Sequence, residues 1–300
     1  MLIDLMAIAE ERYEPEIVEL LRRFHMRALH LQVPPRPGHE GLSGCWFGGR
    51  PTLPADMEWP VFERCGHAMP MHFLAQFDCA SLPQLTEYPM PERGALMFFY
   101  EPHLNMDRFC NKEEERKGGK VVYVSDAAGV PLRDPPPRPD VEPEAFDPLP
   151  LEESDFLECR FDSEEWNEEQ RGTPPIFDGP IPVEVVVVGT FTHISGKEPD
   201  TSHDVWDAYL LAERELLDTM SDALDQWGRD KDTPINLRLF DGYRASQYLD
   251  RTKLVQLFEY EGTGIHNFEY ESYEFFASFY IEPADLAAMN FDAAFSHDEG

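Results

Sequence analysis

The chain has 300 residues, with 25 basic against 58 acidic side chains and a formal net charge of −33. Such a charge repels phosphate backbones and anionic headgroups, which excludes nucleic-acid binding and an electrostatic hold on a membrane surface. Apolar residues at 42% and aromatics at 12% supply a substantial core and exclude wholesale disorder, in one large domain or two ordinary ones.

Met1–Glu10 has no basic segment, and Asp4 interrupts its short apolar run, so a signal peptide is not expected. No run reaches the ~18 apolar residues of a membrane span. Cys45, Cys65, Cys79, Cys110 and Cys159 are odd in number and widely spaced, which argues against a disulfide framework. These features predict a reduced, cytoplasmic protein.

In chain order, residues 1–32 read as helices docking on the body. Pro15 suits the first turn of a second helix, and Ile17, Leu21, Phe24 and Ala28 continue one apolar stripe. Residues 33–60 are rich in proline and glycine, so only short or edge strands are expected there, while Trp46, Phe47, Met57 and Trp59 predict a loop packed on the body. His72–Phe77 and Ala95–Tyr100 read as strands, Gly118-Gly119 as a turn, and Val121–Val124 as a further strand. A proline-rich acidic insertion occupies 131–175. Within it, residues 141–170 hold twelve acidic side chains and one arginine, a net charge of −11, with aromatics interspersed.

Val183–Phe191 is β-branched without alternation, as a central strand requires. Val205–Trp227 is the strongest helix, with Trp206, Leu210, Glu213, Leu217, Met220, Leu224 and Trp227 at helical spacing. Leu237–Phe240, Lys253–Phe258 and Phe275–Ile281 read as further strands.

An internal repeat is visible. Phe98-Phe99-Tyr100-Glu101-Pro102 matches Phe279-Tyr280-Ile281-Glu282-Pro283, and Leu74-Ala75-Gln76-Phe77 matches Leu254-Val255-Gln256-Leu257. The expected architecture is α+β: a single domain over 33–300, with antiparallel or mixed sheets from a duplicated strand motif at about 40–125 and 180–295. An N-terminal helical segment and one long central helix complete it.

Gly48-Gly49-Arg50-Pro51-Thr52-Leu53-Pro54, Glu58-Trp59-Pro60, Met71-His72-Phe73-Leu74-Ala75-Gln76-Phe77-Asp78 and the strand from Gly94 to Tyr100 together resemble the YwqG-like family, a bacterial domain of unknown function. Phe240-Asp241-Gly242-Tyr243 with Gln247, and Ile281-Glu282-Pro283-Ala284-Asp285-Leu286, resemble its second half. The resemblance covers about 40–100 and 235–295. It implies an α+β fold with large sheets and, through the genomic settings of relatives, a toxin–immunity or regulatory role. It implies no established activity. One departure is Gln256-Leu257-Phe258, where the family has Gln-Leu-Asp, so an acid paired with Asp78 is missing.

Catalytic and metal motifs are incoherent. Cys65, His67, His72 and Cys79 match no structural zinc spacing. Gly41-Leu42-Ser43-Gly44 is a fragment of a nucleophile elbow without its strand, and Gly262-Thr263-Gly264 lacks the rest of a dinucleotide loop. No metal or cofactor is expected. Gln76 and Gln256 sit in apolar strands, where a buried amide must be hydrogen-bonded. Each either pins its own hairpin or the two converge on a ligand near a pseudo-two-fold axis. The candidate cleft then comprises Arg50, Gln76, Asp78, Gln247 and Gln256, for a small ligand or a hydrolytic reaction. The leading expectation is instead a non-catalytic binding protein. Its acidic-aromatic segment, with Glu152, Glu153, Asp155, Phe156, Glu164, Glu165, Trp166, Glu168 and Glu169, would engage a basic protein partner.

Overall fold

The computed structural model describes residues 3–33, 38, 40–64, 67–84, 90–100, 118–137, 180–191, 202–228, 235–241, 254–262 and 275–297. The chain runs β1 (Ile3–Asp4), α1 (Leu5–Arg12), α2 (Pro15–Phe24), β2 (His25–Val33), β3 (Trp46–Phe47), β4 (Val61–Arg64), β5 (His67–Pro70), β6 (His72–Asp78), β7 (Ala95–Tyr100), β8 (Gly119–Val124), β9 (Ile181–Pro182) and β10 (Glu184–Phe191). It continues with α3 (His203–Gly228), β11 (Ile235–Asp241), β12 (Val255–Gly262), β13 (Phe275–Ile281), α4 (Pro283–Ala287), a 3-10 turn at Phe291–Ala293 and β14 (Phe295–His297). Seven strands form the larger sheet in the order β1-β10-β2-β11-β12-β13-β14, and five form the smaller in the order β8-β7-β6-β3-β9. Neighbours are antiparallel except the parallel pair β1–β10. The class is α+β.

The two sheets stack face to face, because alternate side chains on each strand leave one apolar row for the other sheet. Phe77, Leu96, Phe98 and Val121 of the smaller sheet share one buried cluster with Leu31, Leu257, Phe258 and Phe279 of the larger. The ring centroids of Phe98 lie 4.7 Å from Phe258 and 5.2 Å from Phe279. The sheets approach closely beside β8. A Cβ placed on Gly119 would lie 2.4 Å from Ser296 Cβ and 2.6 Å from Phe279 Cε1, so only glycine fits. Lys120 Nζ reaches Asp292 Oδ1 at 2.7 Å across the same corner.

The outer face of the smaller sheet is also covered. Met97, Phe99 and Val122 pack with Leu53, Trp59, Phe62 and Met71 from the proline-rich loop and its neighbours. Trp59 donates its indole N–H to the Met71 carbonyl at 2.9 Å, so this loop is bound to the body as its aromatics predict. The outer face of the larger sheet takes the helices. Leu5, Leu21, Val187, Trp206, Tyr209 and Leu216 form a separate buried cluster there. Asp4 caps α1 by accepting from the backbone N–H groups of Met6 and Ala7 at 3.0 and 3.1 Å.

Three expectations change. Residues 25–33 are not helical. His25–Val33 is a strand in the middle of the larger sheet, between β10 and β11, with Leu29 and Leu31 facing inward. Pairing with β10 and β11 on either side outweighs the helical stripe that the sequence carries through Ala28. On α3 the buried stripe is Trp206, Tyr209, Ala212, Glu213 and Leu216, with Leu217 and Met220 of the expected row packed against the same cluster, while Leu210 of that row and Leu211 are exposed. Finally, the strand register equates different residues from those the sequence aligns. Leu74 is bulged opposite Phe98–Phe99, and Leu257 is bulged opposite Phe279–Tyr280. Matching these bulges places Gln76 against Glu259, and Gln256 against Phe73.

Candidate functional site

Gln76 lies in β6 between Ala75 and Phe77, both turned toward the sheet interface. Its register partners Trp46 and Met97 belong to the outer face. Its side chain therefore points away from the larger sheet, into the loop that crosses the smaller one. There its Oε1 accepts from the backbone N–H of Thr52 and from the Thr52 hydroxyl, each at 2.9 Å. The Trp46 indole N–H donates to the Arg50 carbonyl at 3.1 Å. The glycine–proline loop is thus tied to β3 and β6 from two sides.

Arg50 is directed outward. Its Nε lies 3.0 Å from Asp134 Oδ1, with both side chains more than half exposed, at 53% and 72%. Beside it, the Arg133 backbone N–H donates to the Pro51 carbonyl at 2.9 Å. The Arg133 guanidinium reaches the carbonyls of Pro54 and Met57 and lies over the Trp59 ring. Asp78 organises the turn after β6. Its Oδ1 accepts from the Ala80 N–H at 3.2 Å and its Oδ2 from the Ser81 hydroxyl at 3.1 Å. Gly44 packs against it at φ +71°, where a Cβ would lie 2.8 Å from Asp78 Cβ. These groups hold loops, and the sequence signal that finds them is the density of glycine and proline around Thr52.

Gln256 lies in β12 opposite Tyr280, whose neighbours Phe279 and Ile281 both face the sheet interface. Gln256 therefore points to the outer face of the larger sheet and is 1% exposed. The two amides sit on opposite outer faces of the sandwich, with a layer of phenylalanines between them. They do not converge, and the space between the hairpins is an aromatic core rather than a polar cleft. The reason is the alternation of β6 and β13, which commits the inward positions to Phe77 and Phe279. Gln247 and the acidic segment 141–170 lie outside the described residues, as does Cys65 of the rejected zinc set.

Cys45 and Cys79 are free thiols in the sheet interface. Burial pushes both up to about 12 from the ordinary 9.0, and the nearby Asp78 carboxylate adds to the rise. They are protonated packing groups at neutral pH rather than nucleophiles. Tyr209, buried under α3, donates to Glu213 Oε1 at 3.0 Å, and burial followed by the Glu213 charge raises it well above the usual tyrosine range. Among the described residues, no group of three or more histidine, cysteine or acidic side chains is placed to hold a metal ion. No helix among them is long and apolar enough to cross a membrane.

The helices carry a mostly acidic exposed surface. Glu10, Glu11, Glu16 and Glu19 of α1 and α2, and Asp204, Asp207, Glu215, Asp218 and Asp222 of α3, are all exposed. Arg22 pairs with Glu10 at 2.8 Å and with Glu19 at 3.1 Å. Arg12 and Arg214 are the other exposed arginines whose side chains are described on these helices.

A family model described as a domain of unknown function (DUF1963) matches residues 46–297. The chain belongs to this family. The DUF1963 match takes in the whole smaller sheet and the larger sheet from β10 onward, while β1, α1, α2 and β2 precede it. In this DUF1963 chain the larger sheet is therefore completed from outside the matched span, by β2 at its middle. No curated protein matches the chain.

Proposed function

We propose that this DUF1963 protein, a YwqG-like chain, is a non-catalytic binding protein whose acidic surface engages a basic protein partner, in an immunity or regulatory role. Uncompensated charge carries the reading. A net charge of −33 works against the compact state by self-repulsion, and a basic partner relieves that repulsion on binding. Residues 141–170 concentrate a net charge of −11 with Phe146, Phe156, Phe161 and Trp166 among the acids, a composition that combines steering with anchoring side chains. The exposed acids of α1, α2 and α3 extend the same sign over a described surface. Gln76 and Asp78, by contrast, are engaged in holding loops.

The test is a pull-down from the source organism's lysate, eluted in salt steps, with the full chain beside a variant lacking residues 141–170. A stoichiometric basic protein, released by salt and lost with the deletion, is the expected result. A partner that binds both forms equally removes the acidic segment from the mechanism.

A further inference from the structure

Strand register aligns Val187, His30, Arg238, Glu259, Ser278 and His297 in one row across β10, β2, β11, β12, β13 and β14. These are outward positions of the larger sheet, because their chain neighbours Leu29, Leu31, Phe258 and Phe279 belong to the cluster between the sheets. Val187 packs under the helices, but that cluster contains no described residue of β2, β11, β12, β13 or β14. Past Val187 the row is polar over four strand spacings, about 19 Å. Burial would ordinarily select apolar residues for such a face. Yet of the eight buried polar or charged side chains among the described residues, four lie on it: His30, Glu184, Gln256 and Ser278. Ser278 is 5% exposed, and among the described residues no hydrogen bond engages its hydroxyl. A buried hydroxyl in that state calls for a partner from outside the chain.

We infer that this row binds a neutral polyhydroxylated small molecule, a sugar or polyol, seated on Ser278 with Glu259 and His297 at the register positions on either side. The inference stands apart from the acidic-surface reading and adds a second, small-molecule activity. Charge and hydrogen-bond type select the ligand class. Arg238 and Glu259 cancel, so with neutral histidines the row offers no net charge to an ion. Arginine only donates, a carboxylate only accepts, and serine and histidine do both. A ligand hydroxyl also does both, so a chain of hydroxyls finds a match at every position of the row. The next outward row adds Tyr280 and Phe295, with ring centroids 5.9 Å apart, as an apolar border for the C–H side of such a molecule. A few placed polar groups beside aromatic surface is the usual make-up of a small-molecule site.

The probes are glucose, maltose and myo-inositol, with acetate and inorganic phosphate as an anionic arm. Each is titrated into the full chain while the histidine imidazole signals are followed by NMR. A neutral probe on the row should shift His30 and His297 and leave His203, exposed at the start of α3, unmoved. Ser278→Ala should weaken that probe about fivefold, the loss of one neutral hydrogen bond. Glu259→Gln should weaken it about tenfold, because a charged acceptor is lost. Melting temperatures show whether each variant is folded, and where one is not, the histidine shifts of the parent chain decide. Silence of His30 and His297 toward all three neutral probes overturns the inference. A response to acetate or phosphate alone also overturns it, by assigning the row to an anion. Unchanged affinity in both folded variants overturns it as well, by placing the neutral probe elsewhere.

Discussion

Thr52 gives both of its donors, the backbone N–H and the hydroxyl, to the single oxygen Oε1 of Gln76. A polar side chain in an apolar strand thereby becomes the fastening point of a loop that brings Leu53 and Trp59 onto the outer face of the smaller sheet.

Replacing Gln76 by Leu should cost about 2–3 kcal/mol, because two hydrogen bonds go and the Thr52 N–H loses its acceptor in a part-buried site. Thr52→Val removes only the hydroxyl bond and should cost about 1 kcal/mol. Urea titrations of both variants give the comparison. Equal, small losses would show that the amide does not fasten the loop.

The aromatic layer between the sheets carries a larger share. Phe258 is fully buried and touches the rings of Phe77, Phe98 and Phe279. Phe258→Ala should lose about 3–5 kcal/mol by denaturant unfolding, the range for deleting a buried ring from a packed core. A loss below about 1 kcal/mol would mean that the hairpins are not packed through this layer.

Stability should fall as pH rises from 9 toward 12. The folded state holds the protons of Cys45 and Cys79 up to about 12, whereas an unfolded thiol releases its proton near the ordinary 9.0. Over that window the unfolded chain binds fewer protons, so each step up in pH favours unfolding. Denaturation midpoints followed upward from below pH 9 should decline less steeply in a Cys45→Ala, Cys79→Ala double variant than in the parent. Parallel declines would remove the two thiols as the cause.

Residues 138–179 should be replaceable. On one side Arg133 is hydrogen-bonded to Pro51, and on the other Ile181 pairs with Phe47. Positions 47 and 51 are at most about 14 Å apart along the chain, and a linker of about ten residues reaches roughly 33 Å. Substituting such a linker should leave the melting temperature within about 2 °C of the parent, roughly 1 kcal/mol for a chain of this size. A drop beyond about 10 °C would make the excursion part of the fold.

Period and composition identify several elements directly. Phe275–Ile281 is β13 as read, Ala95–Tyr100 is β7, and α3 extends the expected Val205–Trp227 only slightly. What fails depends on partners distant in sequence. His25–Val33 follows a helix without a break, and its strand character comes from β10 and β11, some 150 and 200 residues away. The exposure of Leu210 on α3 has a similar origin. Leu210 and Leu211 are as apolar as Leu216, and only the sheet beneath selects which are buried. For Gln76, the sequence indicates a satisfied amide but not its partner, because Thr52 lies in a loop without period. The supposed convergence with Gln256 fails because each amide takes an outward position of its strand, opposite Met97 and Tyr280 respectively.

The position of β2 sets a timetable for synthesis. It is made before both of its neighbours, since β10 begins at residue 184 and β11 at residue 235. At about 5–20 residues per second, β2 waits roughly 10–40 s for both. During that interval a strand carrying Ala28, Leu29 and Leu31 has two unpaired edges. The larger sheet therefore cannot close around β2 until β11 has been made, some 200 residues later.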